Sequence, residues 1–256
     1  MSTPQPTAHV PLPNGLTLYL QSAHMRAAAE YVVDEIFVEK QYQREGFEIG
    51  HADTVVDIGA NMGVFALWAS PQAPAGRVIS VEPVQEMMDC LRSNLDANRI
   101  RNVSAVQAAV GPSGQKIELT YYPGFNIISH RSDFRRPAYA RLKMYLKNWR
   151  VWRAPERVRA ACISVGELLD EHGVDRVDLL KIDCEGGEYE IVRGMSERDW
   201  SRIDRIVMEF HEYHKDQRHE QLVELLRSRG FEVEVEKDAM TYRLMRFGTL
   251  WARRAH

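Results

Sequence analysis

The chain has 256 residues, 45% of them hydrophobic, enough for one well-filled core and too few for two large domains. Its 33 basic and 36 acidic residues nearly balance, and a net charge of -3 says little by itself. No apolar run is long enough to span a membrane and the start, Met1 to Pro6, lacks the regions of a signal peptide; Cys90, Cys162 and Cys184 are far apart with no Cys-x-x-Cys spacing, which argues against zinc and a disulfide framework and for the cytoplasm.

In chain order, residues 1–13 read as a polar, proline-bearing tail, and Asn14-Gly15 between two short apolar runs signals a hairpin. Helical spacing from about Met25 to Phe37 leads into Tyr42, so residues 1–50 form a lead-in segment of tail, hairpin and cover helix before a main domain over 51–256. From Asp53 the alternation is regular. Strands are predicted at 54–58, 78–82, 103–108, 177–182 and 204–210, with helices near 63–70, 85–98, 164–172, 187–194 and 216–229. The pattern specifies an α/β fold with a doubly wound, mostly parallel sheet. Gly230 closes the last long helix, 231–235 alternates as a more exposed strand, and 242–251 is expected to be the final strand.

One stretch breaks the regularity. Residues 124–159 carry ten basic side chains, from Arg131 to Arg159, against only Asp133 and Glu156. Within it Tyr139, Leu142, Tyr145, Leu146, Trp149 and Trp152 recur at three- and four-residue spacing, the mark of an amphipathic helix. Between the third and fourth strands such an insertion sits over the carboxyl edge of the sheet, where ligands bind. It reads as a solvated lid whose aromatics reach the core, as an acceptor lid that meets an acidic partner such as a carrier protein or an anionic substrate, or as a helix that binds a membrane surface. Nucleic acid is not expected, since the basic residues are confined to one element and no recognition module is visible.

The chemistry centres on Asp57-x-Gly59-x-Asn61-x-Gly63, which follows a β-branched strand and opens an apolar helix. Gly59 permits the sharp turn and Gly63 lets the helix lie close to the strand. The run lacks both the Gly-x-Gly-x-x-Gly spacing of a pyrophosphate-binding turn and the Gly-Lys-Ser/Thr ending of a P-loop, so the ligand expected here carries an adenosine and no phosphate. Asp57 is costly inside an apolar strand unless something binds it, for which a cationic or amino-bearing ligand would serve. Glu82, before Pro83 and about twenty residues beyond the turn, stands where ribose hydroxyls are usually held.

At these residues the sequence resembles the S-adenosylmethionine-dependent methyltransferases, and Leu179-Leu180-Lys181-Ile182-Asp183-Cys184-Glu185-Gly186-Gly187-Glu188 narrows the resemblance to the FkbM family. Glu35-Ile36-Phe37 with Tyr42, and Val207 to His211, also resemble family blocks. The resemblance implies a Rossmann-like class I methyltransferase fold, its seven-stranded sheet ending in an antiparallel strand inserted between the two before it. It implies S-adenosyl-L-methionine as cofactor: Asp57, Gly59, Asn61 and Gly63 at the methionine end, Glu82 and Pro83 at the ribose, Ala108 along the adenine, and Tyr42 and Asp183 at the mouth.

The expected reaction is O-methylation of a small-molecule or carrier-tethered natural-product intermediate. A sugar or glycolipid is the alternative acceptor, and an NAD-dependent oxidoreductase or a catalytically silent cofactor-binding module is a weaker alternative. Asp183, Glu209 and His211 are the candidate catalytic residues, with His211 as the base because histidine titrates near neutrality. A metal-free site is favoured; if a divalent ion takes part, Asp183 and Glu209 are its expected ligands. Oligomeric state stays open.

Overall fold

The structure, a computed structural model, describes residues 8–123, 130–131 and 155–255. It opens on a hairpin of β1 (Ala8–Pro11) and β2 (Thr17–Leu20), followed by α1 (Arg26–Val33) and a π turn over Asp34–Val38. The α/β unit then runs β3 (Thr54–Ile58), α2 (Val64–Ala69), β4 (Arg77–Val81), α3 (Gln85–Ala97) and β5 (Val103–Val106). Next come β6 (Ala109–Val110), β7 (Lys116–Tyr121), β8 (His130–Arg131), β9 (Glu156–Ile163) and α4 (Val165–Glu171). The last third holds β10 (Leu179–Ile182), α5 (Glu188–Arg193), α6 (Glu197–Ser201), β11 (Arg205–His211), α7 (His219–Ser228), β12 (Phe231–Glu236), α8 (Ala239–Met245) and β13 (Phe247–Arg254).

Seven strands form the main sheet in the order β12-β13-β11-β10-β3-β4-β5. β13 runs antiparallel between β11 and β12, and the pairs from β11 to β5 are parallel, which is the Rossmann-like methyltransferase topology. Because strand side chains alternate between faces, β3 sends Val56 and Ile58 into one core layer and Val55 into the other. Asp57 shares the face of Val55, which also takes Phe65, Trp68, Tyr42 and Trp251.

The hairpin docks on that face through two side chains of α3. Asn94 accepts from the Tyr19 N-H and donates to the Tyr19 carbonyl, and Asn98 does the same with Thr17. Four residues apart on one helix face, these amides pair with alternate residues of β2 as a neighbouring strand would.

Three expectations change. Tyr242 to Met245 are helical, because Asp238 accepts from the Thr241 N-H and caps α8; the final strand starts only at Phe247, after Arg246 turns the backbone left-handed at φ 61°. The predicted third strand, 103–108, ends at Val106, and a separate short strand, β6, follows at Ala109. A second sheet, ordered β6-β9-β7-β8, also stands outside the predicted set, and the last residues of the basic stretch belong to it: Arg157 and Arg159 on β9 pair with Glu118 of β7. The predicted aromatic helix lies outside the described residues. Among the described residues, no helix is long and apolar enough to cross a membrane.

Candidate active site

The carboxyl ends of β3, β4, β10 and β11 meet at one edge of the sheet. There β3 breaks at Gly59, whose φ of 83° only glycine adopts readily, and whose N-H, with that of Ala60, donates to the Val81 carbonyl. A Cβ at Gly59 would lie 1.8 Å from the carbonyl oxygen of Asp183, so the turn passes hard against the end of β10. At Gly63, left-handed at φ 94°, a Cβ would meet Leu91 Cδ1 at 2.4 Å, so α2 starts close against α3.

Asp57 is fully buried and already has its cation. Register places it beside Lys181 of β10 on one side and Ser80 of β4 on the other. Lys181 Nζ lies 2.9 Å from Asp57 Oδ1, an ion pair off the hydrogen-bond axis, while Ser80 donates to Oδ2 at 3.3 Å. The same ammonium donates to the Gly59 carbonyl at 3.0 Å and sits above the rings of Tyr42 and Phe65. Burial alone would lower the Lys181 pKa, but the Asp57 and Asp183 carboxylates carry it up to about 12. The carboxylate that sequence reasoning assigned to a ligand cation is therefore compensated from within, and Asp57 reaches the glycine turn only through Lys181. The Lys-Ile-Asp run held this residue in plain view, but its pairing is a matter of strand register.

Glu82 ends β4 with its carboxylate braced by backbone. Oε2 accepts from the Asn61 N-H and Oε1 from the Val84 N-H, both at 2.9 Å. Burial pushes its carboxyl up to about 7 against the pull of those two donors. Pro83 follows half-buried and Ala108 is buried just beyond β5; Asn61 is left-handed at φ 52°. The turn from Gly59 to Asn61 and the buried Glu82 carboxylate, with lone pairs to spare, form a cradle that fits a nucleoside whose vicinal hydroxyls donate to Glu82.

Glu82→Gln should weaken binding of S-adenosylhomocysteine. An amide must turn its NH2 toward one of two backbone N-H donors, and a charge-assisted hydrogen bond is lost, at a cost of about 1.5 to 3 kcal/mol. Wild-type affinity should fall as pH drops through about 7, where the buried carboxyl takes up a proton, and the variant should be flat there. Calorimetry from pH 5.5 to 8.5 checks both; equal profiles would remove Glu82 from the ribose.

The second half of the edge is acidic. Tyr42, 3% exposed, donates to Asp183 Oδ2 at 3.2 Å, and Gln41 donates to Glu209 Oε2 at 2.8 Å. Asp183 ends β10, Glu209 and His211 lie on β11, and one ligand atom from each falls within 4.8 Å of the others. Burial and the neighbouring Glu209 push the Asp183 carboxyl up to about 7. Glu35, from the π turn, is raised to about 8 by burial and by Glu209.

His211 is 2% exposed and surrounded by carboxylates: Nδ1 is 3.0 Å from Glu188 Oε1, and Nε2 is 3.4 Å from Glu209 and 3.6 Å from Glu185. Burial alone would lower its pKa, but Glu188 and Glu185 outweigh it and hold the ring well above its usual value. A base must start neutral, and these carboxylates favour the imidazolium form of His211. Glu188, itself fully buried, accepts from the Cys184 and Gly186 N-H groups and so ties the ring to the turn after β10. Sequence reading missed Glu188 as the anchor of His211, together with Gln41; only their proximity in the fold reveals them.

The methyltransferase FkbM domain profile matches residues 57–233. The 31-O-demethyl-FK506 methyltransferase FkbM of Streptomyces tacrolimicus is 30% identical over 245 residues, which cover 90% of each protein. The AMB antimetabolite synthetase AmbE of Pseudomonas aeruginosa is also 30% identical, over 238 residues that make up 82% of this chain and only 11% of that protein. Among solved structures, a putative methyltransferase from Streptococcus mutans in complex with S-adenosylhomocysteine matches with a TM-score of 0.48 at 8% identity, covering 85% of this chain and 97% of that one.

Proposed function

The chain belongs to the FkbM methyltransferase family, with S-adenosylmethionine as cofactor, and from that premise we propose that it is an O-methyltransferase acting on a hydroxyl of a natural-product intermediate, free or carrier-tethered. One observation carries the reading: the cradle from Gly59 to Glu82 adjoins two carboxylates, Asp183 and Glu209, on the next two strand ends. The cradle suits a nucleoside, and the carboxylates suit a hydroxyl that must lose its proton. The relatives' names support the same class: one acts on a 31-O-demethyl compound and the other is an antimetabolite synthetase. The reading places the reaction in the cytoplasm.

When bound, S-adenosylmethionine supplies the electrophilic methyl group. The protein's part is alignment. Lys181 fixes the glycine turn, Glu82 holds the ribose, and Tyr42 covers the methyl-bearing end while orienting Asp183. The acceptor hydroxyl approaches the Asp183 and Glu209 carboxylates, which favour the loss of its proton.

Incubation with methyl-labelled cofactor and a panel of free hydroxy compounds, carrier-bound hydroxyacyl groups and sugars tests the proposal. Label in an alkali-stable ether on a non-sugar acceptor supports it. Label on nitrogen or carbon refutes O-methylation, and label on a sugar transfers the substrate to the glycan class.

A further inference from the structure

Two clusters of described residues bring histidine and carboxylates close enough to share an ion, and they differ in what fills them. The first comprises Glu212, His219 and Glu220. There Glu212 accepts from His219 and Tyr242 and pairs with Arg246, while His219 Nε2 faces Lys237 Nζ at 2.9 Å. Two cations, Arg246 and Lys237, already stand against it. The second comprises Asp183, Glu209 and His211, and among the described residues no lysine or arginine lies within ion-pair distance of Asp183 or Glu209.

Each carboxylate of the second cluster is steered through one oxygen: Tyr42 holds Asp183 Oδ2 and Gln41 holds Glu209 Oε2. The other oxygen of Glu209, Oε1, faces the third member of the cluster, His211. His211 is fixed through Nδ1 by the buried Glu188, leaving Nε2, on a ring 2% exposed, directed toward Glu209 at 3.4 Å. A metal-binding histidine characteristically gives its second nitrogen to a carboxylate, which sets the tautomer and aims the ring. The 4.8 Å limit on the ligand-atom separations suits donors around an ion at bond lengths of about 2.0–2.3 Å.

We propose that Asp183, Glu209 and Nε2 of His211 bind one divalent cation of the Mn2+ or Mg2+ kind, and that this ion receives the acceptor hydroxyl. Two hard oxygen ligands with one imidazole and open positions suit such an ion. The hydroxyl part rests on the O-methyltransferase reading above; the cation site does not. On the ion the hydroxyl releases its proton to solvent, and its oxygen forms the new O–CH3 bond as the C–S bond breaks and sulfur leaves with the electron pair. His211 then serves as a neutral ligand, its imidazolium proton displaced by the metal.

The test is Mn2+ titration of chelator-stripped protein, followed by electron paramagnetic resonance, with S-adenosylhomocysteine calorimetry on the same samples. A single Mn2+ site is expected, weakened at least tenfold in both Asp183→Asn and Glu209→Gln, and unchanged in Glu212→Gln. Glu188→Gln should weaken it about 10- to 100-fold through the misaimed ring. Retained S-adenosylhomocysteine binding certifies that each variant is folded. Absence of Mn2+ binding at millimolar concentration, or equal affinity in wild type, Asp183→Asn and Glu209→Gln, overturns the site. Methyl transfer at full rate in excess chelator overturns the ion's role while leaving O-methylation standing, whereas a confirmed ion with label only on nitrogen or carbon refutes O-methylation alone.

Discussion

Lys181→Met should destabilise the protein by about 3–5 kcal/mol, because it leaves the fully buried Asp57 carboxylate without its cation. In a chain of this size that corresponds to a fall on the order of 10 °C in Tm. Ser80 remains as a neutral donor and cannot substitute for a charge. The loss should be largely recovered by Asp57→Leu in the same chain, since removing both charges leaves no uncompensated ion in a layer of apolar side chains. Affinity for S-adenosylhomocysteine should fall in both variants, because the Gly59 carbonyl loses its donor either way. Thermal and denaturant unfolding of the two variants decides the matter. If Lys181→Met lies within 1 kcal/mol of wild type, the pair is not what stabilises this strand junction.

Asp183→Asn should lower kcat by about a hundred- to a thousandfold, the usual effect of removing a preorganised electrostatic group from a reacting centre. The substitution keeps the shape and an oxygen that can accept from Tyr42, so cofactor affinity should change by less than about threefold. Single-turnover methyl transfer at saturating acceptor measures the first quantity and S-adenosylhomocysteine calorimetry the second. A kcat within tenfold of wild type would take Asp183 out of the reaction. A matching loss of cofactor affinity would make it a binding residue.

These expected effects divide according to what a sequence can carry. The order of strands and helices was legible because buried parallel strands read as β-branched runs and their helices repeat every 3.6 residues. Gly59, Glu82 and Asp183 were legible as positions because they follow such strands directly. What Asp57 and His211 meet was not. Lys181 is 124 residues from Asp57, and only the pairing of β10 with β3 makes them neighbours. Glu188 is 23 residues before His211, and its contact favours the charged form of the ring. Residues 239–245 share their apolar content with a strand, and a single side-chain cap at Asp238 decides for helix. The second sheet escaped because β6 and β8 are two residues each, too short for any periodicity to register.

The position of β13 has a consequence in time. Glu209 and His211 sit on β11, whose outer neighbour is β13 from end to end, with Glu209 opposite Thr249 and His211 opposite Phe247. During synthesis every other strand of the main sheet emerges before this one. Until residue 254 has left the ribosome, β11 keeps a bare row of backbone donors and acceptors on one side, open to pairing with β12 in the wrong place or with another chain. The acidic half of the site thus matures last, and a nascent chain able to form the nucleoside cradle remains for a while without the means to use it.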